Sequence, residues 1–142
     1  MSTTTSPSRA AQHAVTLPHT RRAPSVARRV SERWLGATAP EDRVKDAVAI
    51  VSELVTNTVR HTSDGCTLTL TVDGGRLDIA VADHSEEFPE LSRHSGGDEH
   101  GGFGMQVIRE LGGQVRSVPM IGGKTVHVLI ELRTERDPCE GG

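Results

Sequence analysis

PEDRVKDAVAIVSELVTNTVRH, residues 40–61, carries two helical patterns at once, and the reading of the fold starts there. Val44, Ala47, Val48, Val51, Leu54, Val55 and Thr58 recur at helical period, which predicts a long helix over Pro40–His61 with that stripe toward a core. Pro40, Glu41 and Asp42 suit its positive N-terminal end. Glu53, Asn57 and His61 recur at i, i+4 and i+8, a drift of only about 40° per step. They therefore share a second, polar face, with Ile50 on the same side.

Downstream the period changes from helical to two. In TLTLTVDGGRLDIAVAD, residues 67–83, Leu68, Leu70 and Val72 alternate with threonines, and Leu77, Ile79 and Val81 alternate on the return. Asp73-Gly74-Gly75 between them is a hairpin signal. Asp83 continues the parity of Leu77, Ile79 and Val81, so it is expected on their core-facing side. From His84 to Gly101 there is no periodicity, and a loop of that length in a small domain is usually functional or disordered. Gly102–Leu111 reads as a short helix opening on glycine, Val115–Val118 as a strand, Gly122-Gly123 as a turn, and Val126, Val128, Ile130 and Leu132 as the last strand. Upstream, His13–Leu17 reads as a short strand and Pro24–Leu35 as a helix with Val26, Val30 and Trp34 on one face. The expectation is an α+β fold: a two-layer α/β sandwich with helices packed on one face of a mostly antiparallel mixed sheet. The single domain is expected over residues 12–134, between disordered tails at 1–11 and 135–142.

Composition narrows the function. The chain has 142 residues, 35% of them hydrophobic but only 2% aromatic, so the core must be aliphatic. A formal net charge of −3 leaves no electrostatic footprint for nucleic acid. No apolar run is long enough to span a membrane, and Met1–Ser8 lacks the apolar stretch of a secretory signal, so a cytoplasmic location is expected. Cys66 and Cys139 show no metal-ligand spacing and read as reduced thiols.

Four constellations carry chemistry. On the polar helix face, Glu53 can take or orient a proton, Asn57 offers a neutral oxygen to a hard cation such as Mg²⁺, and His61 can meet phosphate oxygens. Asp83, at the end of a core-facing strand, needs a donor, and the exocyclic amine of a purine is a suitable one. Gly101-Gly102-Phe103-Gly104-Met105 before a helix lets backbone N–H groups approach an anion, and Gly96-Gly97 upstream suits a movable lid. Gly122-Gly123-Lys124-Thr125 could offer a hydroxyl to a ligand lying across the sheet. Taken singly, each is also what a solvated helix face, a strand end, a flexible loop or a plain turn would show.

In this order the four resemble the Bergerat (GHKL) ATP-binding fold shared by gyrase, histidine kinases and anti-sigma-factor kinases. Residues 53–61, ELVTNTVRH, look like that family's N box, Asp83 like the start of the first glycine box, residues 102–105 like the second, and residues 122–126 like the last. The wording ELVTN and the small size are most similar to the anti-sigma-factor serine/threonine kinases, of which many occur in actinobacteria. The resemblance implies ATP and Mg²⁺ as cofactors. It implies Glu53 as general base, Asn57 as the Mg²⁺ ligand, and Asp83 as the adenine contact. His61, Gly102, Gly104, Met105 and Thr125 would complete the nucleotide site. It implies transfer of the γ-phosphate to a serine of a STAS-type anti-anti-sigma partner, sequestration of a sigma factor, or both, and it allows a homodimer.

One departure stands out. The family's first glycine box is Asp-x-Gly-x-Gly, whereas this chain has Asp83-His84-Ser85-Glu86-Glu87. Both glycines are replaced, and Glu86 and Glu87 would repel phosphate if they pointed inward. The alternative expectation is therefore a non-catalytic nucleotide-binding anti-sigma or scaffold module. Arg21, Arg22, Arg28, Arg29 and Arg33 gather around the first helix, where an acidic partner surface could dock or where a solvated face would carry charge.

Overall fold

The computed structural model of the chain describes residues 10–84 and 106–132. The order of elements is β1 (Ala11–Leu17), α1 (Ala23–Gly36), α2 (Glu41–His61), β2 (Cys66–Asp73), β3 (Arg76–Asp83), β4 (Gln114–Met120) and β5 (Gly123–Glu131), with residues 106–110 helical before β4. The strands form one sheet in the order β1-β2-β3-β5-β4, and every pairing is antiparallel. The fold is the expected α+β sandwich, and the described sheet has no parallel pair to make it mixed.

Strand parity decides what faces the helices. Leu68, Val81 and Val126 align across the sheet, as do Leu70, Ile79 and Val128. All belong to or pack against the core, together with Ile50, Val51, Leu54 and Val55 of α2. The other parity, with Thr67, Thr69 and Thr71 on β2, forms the open face. The β2–β3 hairpin turns through Gly74 and Gly75, whose φ of 62° and 83° give the two positive values that a type I′ turn requires. The β4–β5 turn is Ile121-Gly122, since Met120 pairs directly with Gly123, and not the Gly122-Gly123 turn expected.

Two helix faces differ from their expected ones by about one residue. In α1 the buried positions are Ala23, Ala27, Ser31 and Leu35, while Val26 is exposed. The small side chains let α1 lie close against its neighbours, and Trp34 instead stacks on His13 of β1 with ring centroids 5.9 Å apart. In α2 Ile50 is fully buried and Val48 only half-buried, so Ile50 belongs to the core stripe rather than the polar face. Glu41 and Asp42 occupy the first turn of α2 and Arg60 and His61 the last, each favourable to the helix dipole.

Candidate functional site

The direction of α2 across the sheet follows from both its ends. Near its start, Arg43 Nε donates to the carbonyl of Glu131, the last residue of β5, at 2.9 Å. At its far end, His61 is joined by only residues 62–65 to Cys66, which pairs with Asp83. The C-terminal turns of α2 therefore sit at the end of the sandwich where β3 finishes. Asn57 lies one turn before His61 and Glu53 two turns before, about 12 Å back along the axis. Both are half-buried on the flank of Ile50 and Leu54. The end of α2 is fastened there: Thr62 N–H and Oγ1 both donate to the Thr58 carbonyl at 3.0 and 2.8 Å, and a ring nitrogen of His19 meets the Val59 carbonyl at 2.9 Å.

Asp83 is half-buried, with the parity of Leu77, Ile79 and Val81 and hence on the helix side of the sheet. This is where strand alternation predicted it. Its cross-strand neighbour Cys66 is buried, and burial together with the nearby Asp83 carboxylate pushes the thiol up from 9.0 to about 11. The helical segment over residues 106–110 packs on the core. Ile108 is buried against the core, and Gly112 after it lies beside Arg43 at the opposite end of the sandwich. Gly102, Gly104 and Met105, expected to line phosphates, lie outside the described residues.

Thr125 does not lie on the side of the sheet that Asp83 occupies. It pairs with Ala82, one residue before Asp83, so its side chain lies on the open face, away from α2. Its hydroxyl donates to Met120 Sδ at 2.8 Å on that same face. The β5 residue on Asp83's side is Lys124, an exposed cation. The alternation of Val126, Val128 and Ile130, counted back, points to Lys124 and excludes Thr125. Cys66 was equally open to detection by counting back from Leu68. The C-terminal half of α2, which carries Glu53, Asn57 and His61, thus runs toward the end of the sheet where Asp83 lies on the helix side, with Cys66 as its cross-strand neighbour and Lys124 on the same side of β5.

The oxygen donors at this end fit a magnesium nucleotide. Asn57 offers one neutral oxygen to a hard cation that normally keeps water and phosphate for its remaining positions. Asp83 offers an acceptor to an amine. Among the described residues no three His, Cys, Asp or Glu side chains are grouped to hold a metal ion by themselves, and no helix is long and apolar enough to cross a membrane.

Comparison with known proteins agrees with this architecture. The RsbU and RsbW domains of Rv1364c from Mycobacterium tuberculosis superpose with a TM-score of 0.63 at 20% identity, over 87% of this chain and 33% of that one. The histidine kinase domain of the blue-light activated histidine kinase from Erythrobacter litoralis EL346 superposes with a TM-score of 0.53 at 22% identity, over 78% of this chain and 58% of that one. The chain thus spans about a third and somewhat over half of these two structures. No curated protein sequence matches it. The model of the histidine kinase-like ATPase domain matches residues 17–129, most of the sequence, and the chain belongs to that family.

Proposed function

We propose that the chain binds Mg-ATP in the cleft between the C-terminal half of α2 and the end of β3, and acts as an anti-sigma regulatory protein of the RsbW kind. What supports the reading is that the helix bearing Glu53, Asn57 and His61 ends over the same end of the sheet at which Asp83 lies on the helix side. In this reading Asp83 accepts the adenine amine and Asn57 holds Mg²⁺. When bound there, Mg²⁺ would supply neutralisation of the phosphate charge. Glu53 accepts the proton of an incoming serine hydroxyl as its oxygen bonds to the γ-phosphorus and ADP departs. Gly102, Gly104 and Met105 supply backbone contacts to phosphate, and His61 a further donor. The serine belongs to a STAS-type anti-anti-sigma protein, and the exposed arginines at 21, 22, 28, 29 and 33 offer a docking surface to an acidic sigma factor.

Ser85 and Glu87, in place of two glycines, favour a second reading in which nucleotide is held and no phosphate transferred. A γ-labelled ATP assay with a serine-bearing STAS-domain protein separates the two. Label on that serine, lost with Glu53→Gln, supports the kinase. A stable complex that never takes up label supports the binder. Absence of any adenine nucleotide binding by calorimetry rules out both.

A further inference from the structure

The geometry points to Gly123 as the positioning residue that fixes Asp83 and so sets the choice of adenine over guanine. This rests on the nucleotide-binding reading above. A Cβ added at Gly123 would stand 2.5 Å from Asp83 Oδ1, 3.2 Å from the Asp83 carbonyl carbon, and closer than either to the carbonyl oxygen. No such approach is tolerated by real side chains, so Asp83 keeps its main-chain and carboxylate positions only while position 123 carries no side chain. Gly65 and Gly113 are also crowded, but by the Leu17 and Pro18 backbone and by Ile108 and Val128, none of them candidate site residues. Gly122, the preceding residue, has a φ of 84° and nothing within 4 Å of where its Cβ would be. Gly122 serves the turn; Gly123, whose own φ of 157° already suits a glycine, also leaves the room that Asp83 occupies.

The consequence is chemical. A carboxylate held in one direction accepts a hydrogen bond from the adenine amine. Guanine places a carbonyl oxygen at the equivalent position, and two acceptors then face each other unpaired. Sites that discriminate by a hydrogen bond do so strongly only while the protein partner stays in place. A methyl at position 123 must push Asp83 aside and return it to a range of directions, which costs adenine affinity and relaxes the rejection of guanine.

The test is calorimetric titration of the full chain with Mg-ATP and Mg-GTP. The parent is expected to prefer ATP. Gly122→Ala, which strains the turn without touching Asp83, is expected to lower thermal stability and leave the ATP:GTP ratio unchanged. Gly123→Ala is expected to lower that ratio by about tenfold or more, toward the value for Asp83→Asn. It should then have little further effect when the two are combined, because both changes act through one carboxylate. A folded Gly123→Ala protein with the parent ratio overturns the proposal, and so does one that fails to fold, the glycine then being purely structural. A parent that binds neither nucleotide sinks the nucleotide reading and this inference with it, whereas a parent that binds both equally leaves nucleotide binding standing and sinks this inference alone.

Discussion

Cys66 shows how one side chain senses both the core and the site. Its thiol is 2% exposed and stays neutral until about pH 11, whereas the unfolded chain releases the same proton near 9.0. A raised acid pKa means that the folded state binds the proton more tightly. The stabilisation is whole below pH 9 and is lost as pH rises toward 11. Two units correspond to about 2–3 kcal/mol at most. Urea unfolding at pH 8 and pH 10.5 should show a larger fall for the parent than for Cys66→Ala; equal falls would show that Cys66 contributes nothing. The neutral, buried thiol should also resist iodoacetamide at pH 8 until the chain is denatured, as site-resolved mass spectrometry would report. Asn57 is the counterpart on the helix. Replacing it by alanine removes an oxygen from the cation, and Mg-ATP affinity should fall by roughly tenfold or more. Calorimetry that finds the same affinity, and the same magnesium dependence, would remove Asn57 from the site.

At the scale of elements, the helices and strands were legible wherever hydrophobic period was strong. The alternation of residues 67–83 placed β2, β3 and the side chain of Asp83 without ambiguity. The helix faces were less legible because the chain is rich in small residues. Val26, Val30 and Trp34 make the larger apolar stripe on α1, yet Ala23, Ala27, Ser31 and Leu35 are buried, since closeness of approach outweighs side-chain size there. Composition cannot reveal that preference. Thr125 parts from Asp83 for a different reason: residue type suggests it, whereas strand parity puts it on the open face. The burial of α1 carries its own prediction. Ser31 Oγ has no hydrogen-bond partner among the described residues and is fully buried. An unsatisfied buried hydroxyl costs free energy that a methyl does not. Ser31→Ala should therefore be neutral or stabilising by up to about 1 kcal/mol in thermal unfolding. A loss of more than that would mean the hydroxyl is satisfied in solution, by water or by its own helix.

For the whole molecule, the two layers are joined along an aliphatic core. At one end of it α2 and β3 finish and β5 begins. A ligand wedged into that end touches both layers, so it must stabilise the folded state as a unit rather than one loop. Mass action gives the size: at a hundred times Kd the folded state gains about 2.7 kcal/mol. For a domain of this length that is a rise in Tm on the order of 10 °C. Differential scanning fluorimetry, with Trp34 as the only tryptophan, can follow it. Mg-ATP should raise Tm in a concentration-dependent way, GTP less so. Chelating the magnesium should take away the part of the rise that Asn57→Ala also takes away. Sodium triphosphate at the same concentration serves as the control, because it carries the charge without the base. If triphosphate alone reproduces the full rise, the chain is responding to anions in general, Asp83 has no part in recognition, and the cleft between α2 and β3 is not where the nucleotide sits.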